Sequence, residues 1–446
     1  MRSAYLERPR WSCALEGALA AAGSMPGVVP VLHAGPGCAG NFAWTANGAS
    51  GLQVTGQCLG LSVPATNLQE NEVVFGGTDR LREELLETAR IMEGDTLFVL
   101  TGCLPEVIGD DARSLADELS TPERPVLFAS VPGFSGDSYA GYGEVLKSIA
   151  ADGVRRLRTK RDLANVWGVP PGLDPFWRGN LEGIRGLLAL LGIRANLLFG
   201  PASDPKALRR AGAAAANIVV SGLYGAEAAG IFRDLHGIPS VPAPLPYGAA
   251  ASERFLKAAG RAFGLPPSRM RRAIQTAGRA HYAALEPAVD LLNDMESQRH
   301  AAVIGDANHA PALSAFISEE LGWVPELTVI VNDLDARGRE ALEGYWEATG
   351  TPRPANLVYA SDRRSILEAA RGVWPEAPQE GYRDPKRPAI VLGSSLDRAL
   401  ASAIGAGHLS VSYPVANRLV LTRGYTGYRG GLALTEDLVS ACIGGR

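Results

Sequence analysis

The chain is 446 residues long, enough for about three domains with cores of their own, so a single small module is excluded. A formal net charge of -4 with 20% charged residues offers no basic excess for nucleic acid or an anionic membrane surface. No apolar run reaches the ~20 residues of a membrane span, and five cysteines, an odd number without a signal peptide, do not make a disulfide framework. The expectation is a soluble, cytoplasmic protein whose cysteines serve metal binding or burial.

In chain order, Ser12 is placed to cap a helix through CALEGALAAAG. Cys13 then sits at a helix N-terminus, which favours the thiolate that metals require. The β-branched run VVPVLH at 28–33 predicts a strand, and the Gly- and Pro-rich turn HAGPGC leaves it and ends on Cys38. A second strand, DTLFVLTG at 95–102, leads directly into Cys103, and Pro105 fits the first turn of a helix through LPEVIGDDA. Further strands are predicted at RPVLFASV (124–131), ANIVVSG (216–222), HAAVIGD from 300, ELTVIVND from 326, RPAIVLGSS from 387 and HLSVSYPV from 408. Continuous apolar strands alternating with helices mean parallel sheets covered on both faces. The expected fold class is α/β with three Rossmann-like units: 1–155 carrying the candidate ligand cysteines, 156–298 in the middle, and 299–446 with a subunit interface. The breaks are set by the basic stretch VRRLRTKRDL at 154–163 and by DMESQRH before the strand at Ala301. No tandem repeat, low-complexity tract or long Gly/Ser linker intervenes, so the units are expected to pack on one another.

Cys38 and Cys103 both fall at the carboxyl ends of predicted strands, where open α/β sheets bind ligands, so with Cys13 three thiols could converge on one rim. A single free cysteine is most often a small buried hydrophobe. Structural zinc prefers C-x-x-C pairs, whereas these three are separated by 25 and 65 positions (38 − 13 and 103 − 38). Iron–sulfur clusters tolerate dispersed ligands, yet a simple cubane wants four cysteines; three strong candidates plus Cys58, in the Gly-rich G-Q-C-L-G, imply a second chain completing the site.

The stretches SCALEGA at 12–18, HAGPGC at 33–38, VVFGG at 73–77, TGCLPEVIGDD at 101–111 and VPGFSGDS at 131–138 together resemble nitrogenase component 1, nearer the β-type than the α-type subunits. The resemblance implies an α2β2 assembly whose α/β interface holds an eight-iron P-cluster ([8Fe-7S]) for electron relay, with Cys13, Cys38 and Cys103 as this chain's ligands. It also implies an ATP-hydrolysing homodimeric reductase carrying a [4Fe-4S] cluster that docks on the complex. Many β-type subunits carry a cluster-ligating serine where this chain has Gly133, with Ser135 near but displaced, and the N-terminus is short. The large catalytic iron–sulfur cofactor is expected only in the α-type partner, because no cysteine lies between Cys103 and Cys442, and Cys442 is expected to follow the last helix. Cys58 lies outside the family's ligand pattern and is read as structural. The short N-terminus and Gly133 favour a substrate other than dinitrogen, and the overall pattern, particularly the ending SYPV with YTGYRGG, looks closest to the methylthio-alkane reductases, which cleave carbon–sulfur bonds; a dinitrogen-reducing alternative nitrogenase, a cofactor-assembly scaffold and a metal-free α/β protein are the rivals.

Other features carry less. His33 and His408 are read as satisfied hydrogen-bonders, with no catalytic residue assigned. No P-loop sequence occurs. GDANHA at 305–310 and GSS at 393–395 could contact phosphate but read first as tight turns. Asp110 and Asp111 read as a solvated helix face or cap, and RGYTGYRGG at 423–431 as a subunit contact.

Overall fold

The computed structural model describes residues 10–40, 48–52, 63–200, 203–290, 299–375 and 386–444. Cys58 lies outside the described residues. Among the described residues three sheets, every pairing in them parallel, follow one another along the chain, as the alternation of apolar strands with helices predicts. The first holds β1 (Val28–His33), β2 (Thr96–Thr101) and β3 (Val126–Ser130) in that order. The second, in the order β5-β4-β6-β7, holds β4 (Lys160–Trp167), β5 (Arg194–Asn196), β6 (Ala214–Val219) and β7 (Ser240–Pro242). The third, in the order β10-β9-β8-β11-β12, holds β8 (His300–Gly305), β9 (Val324–Ile330), β10 (Leu357–Tyr359), β11 (Pro388–Gly393) and β12 (Gly407–Ser410). Among the described residues no helix is long and apolar enough to cross a membrane.

In the first sheet β1 is an edge strand, which is what permits Pro30 within it, because an edge position leaves one backbone N–H unneeded. The segment beside that edge closes it, Leu32 donating to the Pro64 carbonyl and Thr66 to that of Leu32. The register pairs His33 with Thr101 and Thr101 with Ser130, so the three strands finish in one row. Chain leaving that row must turn on a common rim, and Cys38, Cys103 and Gly133 follow it.

The helix Ala14–Gly23 is buried along nearly its whole length and crosses the helix Ser138–Ser148 backbone to backbone. A Cβ at Gly17 would overlap the Ser138 carbonyl, and one at Gly141 the Ala14 carbonyl, so both positions need glycine for the close approach.

Three expectations are corrected. The cap of the first helix is Cys13 itself, with no side-chain capping bond; the Ser12 backbone N–H instead donates to Ser138 Oγ at 3.0 Å. Cys442 lies within the final helix, Gly427–Gly444, and is buried in the core. The aromatic residues of 423–431, Tyr425 and Tyr428, are buried within this chain, Tyr425 against Phe176 and Tyr247, so they are packing elements of its own core.

Candidate metal centre

Two thiols meet at Gly133, and a third lies within reach of their charge. Its backbone N–H donates to Cys103 Sγ at 3.0 Å, and a Cβ there would lie 3.1 Å from Cys103 Sγ, 3.1 Å from Cys13 Cβ and 3.6 Å from Cys13 Sγ. Cys38 completes the group: burial pushes its thiol pKa up, and the negative charge of Cys13 and then Cys103 pushes it further. Cys13 and Cys38 are half-buried and Cys103 is exposed.

Each thiol is held by local structure. Cys13 pairs with Asp137 in an antiparallel bridge, and the Ala14 N–H donates to the Gly136 carbonyl at 3.1 Å. Asp137 caps the helix Ser138–Ser148 by accepting from the Ala140 N–H, and burial raises its carboxyl pKa. Cys38 closes a turn, its N–H donating to the Gly35 carbonyl. Cys103 opens the helix Cys103–Ile108, which Glu106 ties back to the sheet: its carboxylate accepts from Thr101 Oγ1 at the end of β2 and from Ser130 Oγ at the end of β3, the latter at 2.6 Å.

Among the described residues no three His, Cys, Asp or Glu side chains close on a point as a single metal ion would require. The thiols are presented by three separate elements, which suits a multi-iron group with ligands on different irons. Clustered thiolates repel one another, and cationic iron is the natural relief of that repulsion. The donor set therefore fits an iron–sulfur cluster.

Ser135 turns away, its hydroxyl donating to the Pro132 carbonyl at 2.7 Å. His33 holds Thr66 Oγ1 at 3.1 Å and Asp110 Oδ2 at 3.0 Å, and burial lowers its pKa against the pull of Asp110. Asp110 also accepts from the Gly77 N–H, while Asp111 caps the next helix through Ser114. His408 Nε2 bonds the Ser394 carbonyl at 2.8 Å. The turns at 305–310 and 393–395 are closed: Asp306 accepts from the Asn308 N–H and pairs with His309, and Asp397 accepts from Ser394.

Two polar groups escaped the sequence reading. Glu16 is buried, accepts from Ser138 Oγ at 3.0 Å and from the Tyr413 hydroxyl at 3.4 Å, and burial raises its pKa; its one signal was a charge interrupting an Ala-rich helix. Asp306, His309 and Asp174 form a buried charged group with no sequence signal beyond the turn. A cleft of about 1220 Å³ beside Gly179, Gly183, His281 and Arg423 is lined by none of the cysteines.

Exposed apolar side chains lie on the segments that carry or adjoin the thiols. Phe134, next to Gly133, is 68% exposed; Val107, on the helix that Cys103 opens, is 72% exposed; Phe75, on the adjacent helix Glu70–Phe75, is 86% exposed.

Residues 13–443 match the family model described as nitrogenase component 1 type oxidoreductase. A nitrogenase molybdenum-iron protein beta chain from Sinorhizobium fredii is 24% identical, the alignment spanning 98% of this chain and 84% of that one. The B subunit of the light-independent protochlorophyllide reductase from Chlorobium limicola is 28% identical over 74% of this chain and 63% of its own length. Among solved structures, nitrogenase Cp1 at pH 6.5 superposes with a TM-score of 0.78 at 16% identity, covering 99% of this chain and 94% of that one.

Proposed function

The chain belongs to the nitrogenase component 1 type oxidoreductases, and from that premise we propose that it is the β-type subunit of a nitrogenase-like reductase in which Cys13, Cys38 and Cys103 hold this chain's side of an interface P-cluster. The observation that supports the reading is the approach of Cys13 and Cys103 at Gly133, with Cys38 within reach of their charge and exposed apolar side chains on the same and adjoining elements. Large exposed apolar side chains around half-buried thiols suit a surface covered by another chain. When bound, the cluster stores and relays electrons. The residues of this chain hold it: Gly133 gives an N–H to the Cys103 sulfur, Glu106 fixes the helix that presents that sulfur, and the Cys13–Asp137 bridge fixes the other side. Phe134 and its neighbours exclude water once an α-type partner covers them in an α2β2 complex, and the catalytic iron–sulfur cofactor resides in that partner.

The electron source is an ATP-hydrolysing homodimeric [4Fe-4S] reductase. Phe75 and Val107 offer its landing surface, Val107 on the helix that Cys103 opens and Phe75 on the helix packed beside it. The substrate class we favour is small methylthio-alkanes, cleaved at the carbon–sulfur bond: Gly133 points away from classical nitrogen fixation, and SYPV with YTGYRGG resembles that group's pattern. Dinitrogen reduction is the second reading, favoured by relatives named as molybdenum-iron beta chains.

Anaerobic co-purification with the encoded neighbour, followed by iron quantification and electron paramagnetic resonance, tests the cluster. Eight-iron signals in the oxidised and reduced complex are expected; zinc alone, or no metal, overturns the reading. Assay of the complex with its reductase tests the substrate: thiol or alkane release from thioethers is expected, and ammonia formation without it removes the carbon–sulfur assignment.

A further inference from the structure

Arg10 stands three residues before Cys13 yet binds the far end of the chain. Its side chain is 3% exposed. Nη1 donates to Ser394 Oγ and to Asp397 Oδ2, each at 2.8 Å, and Nη2 to Asp397 Oδ1 at 2.5 Å, a two-pronged fit of planar guanidinium to carboxylate. The receiving group is built for it: the same Asp397 carboxylate accepts the Ser394 N–H at 2.7 Å and the Ser394 hydroxyl at 2.8 Å, at the end of β11. Burial alone pushes the Asp397 carboxyl up, but the Arg10 charge and these hydrogen bonds outweigh it and hold the group below its ordinary value. Next to Arg10, Trp11 packs against the apolar cluster of the third sheet. Then Ser12 and Cys13 cross to the first unit, bonding Ser138 and pairing with Asp137.

Cys13 is thus the junction of two anchors. Downstream, the helix Ala14–Gly23 is locked by its glycine crossing with Ser138–Ser148. Upstream, Arg10 is the charged tether, and Arg10 and Asp397 are 387 residues apart in sequence. A ligand on the cap of a helix has no helical hydrogen bond to hold its own N–H, so its position depends on what precedes it.

We infer that Arg10, acting through Asp397, is a positioning residue for Cys13, setting one side of the cluster site from the C-terminal sheet. The inference rests on the proposed ligand role of Cys13.

Two measurements test it on the full chain. In the iron-free protein, the alkylation rates of Cys13, Cys38 and Cys103 are read separately by peptide mass spectrometry for wild type, R10A, R10K, D397N and R10A/D397N. Loosening of one segment by lost local protection selectively speeds Cys13, by about tenfold or more in R10A and D397N. R10K, which keeps the charge and loses the fork, falls between, and the double variant goes no further than the larger single one. In the complex with its encoded neighbour, the same variants shift the midpoint potential of the cluster signal. Equal acceleration of all three thiols, or a lowered unfolding temperature with Cys13 reactivity and potential unchanged, overturns the inference and leaves Arg10 as a stabilising contact only. Wild-type complex without iron defeats the ligand reading instead, a result the alkylation measurement does not depend on.

Discussion

The backbone N–H of Gly133 donates to Cys103 Sγ at 3.0 Å, and a Cβ at position 133 would stand 3.1 Å from that sulfur. The residue is not in the left-handed region, so a side chain is conformationally allowed, provided the neighbouring thiols give by a few tenths of an ångström. In Gly133→Ser the hydroxyl enters the space between Cys103 and Cys13. An oxygen ligand favours oxidised iron, so the midpoint potential of the cluster should fall by roughly 60 mV or more, a tenfold change for one electron. Mediated titration followed by electron paramagnetic resonance checks this, and an unchanged potential with full iron content counts against placing the cluster beside Gly133.

The cysteines divide by position. Cys103 is exposed on the rim, whereas Cys442 is buried inside the final helix. Cys103→Ala should abolish the interface cluster and substrate reduction. Cys442→Ala should leave iron content near the wild-type value, at a stability cost of about 1 kcal/mol for a lost buried sulfur. Iron analysis of both purified complexes decides, and equal iron loss sinks the ligand assignment.

These positions show what a sequence can carry. Cys13, Cys38 and Cys103 were legible because each follows or opens an element whose boundary is written locally: a helix start, a Gly-Pro turn, a strand end. β4 was not. Its first residues, Lys160, Arg161 and Asp162, are exposed and charged, and its buried part carries Asn165, whose amide is satisfied only by Ala211, Asn196 and Asn217 from neighbouring elements. A polar residue inside a strand breaks the apolar run that signals one. Arg10 with Asp397, and His309 with Asp174, were equally hidden, because each pairing is made by tertiary contact across hundreds of residues or between different sheets. The aromatics near the C-terminus misled for the opposite reason: Tyr and Arg mark interfaces and cores alike, and burial of Tyr425 depends on Phe176 and Tyr247 far upstream.

The exposed rim gives a prediction that separates docking from cluster binding. Phe75 is 86% exposed and stands outside the three-thiol set, so Phe75→Asp should leave iron content and unfolding temperature unchanged. A buried charge opposite a partner's apolar surface costs a few kcal/mol, so reductase-driven turnover should fall by about a hundredfold while dithionite still reduces the cluster. Normal reductase-driven turnover would place the landing surface elsewhere.

His309 offers a test of how the second and third sheets are joined. Its Nδ1 lies 2.6 Å from Asp306 Oδ2 and its Nε2 3.4 Å from Asp174 Oδ1, with all three side chains at most 2% exposed. Tyr224 donates to Asp306 Oδ1 and to Asn332 Oδ1, and the Tyr247 ring lies beside the imidazole. Burial alone lowers the pKa of His309, but Asp306 and then Asp174 outweigh it and raise the value well above 6.5; the same imidazolium holds Asp306 below its ordinary value against burial. A histidine with a raised folded pKa stabilises fully below its unfolded value and loses that contribution as pH rises through the folded one; an aspartate with a lowered folded pKa loses its contribution as pH falls through the depressed value. Stability from this group should therefore hold from above the carboxylate range to about pH 6.5 and decline on the alkaline side. His309→Gln leaves two buried carboxylates without their cation, at a cost of about 3–5 kcal/mol at neutral pH. Thermal unfolding of wild type and variant from pH 5.5 to 9.5 checks both statements: the difference between the two curves should narrow as pH rises, because the wild type loses on titration what the variant never had. A difference that stays constant across that range would mean His309 is not charged in the fold, and the junction would then be held by packing around Tyr224 and Tyr247 alone.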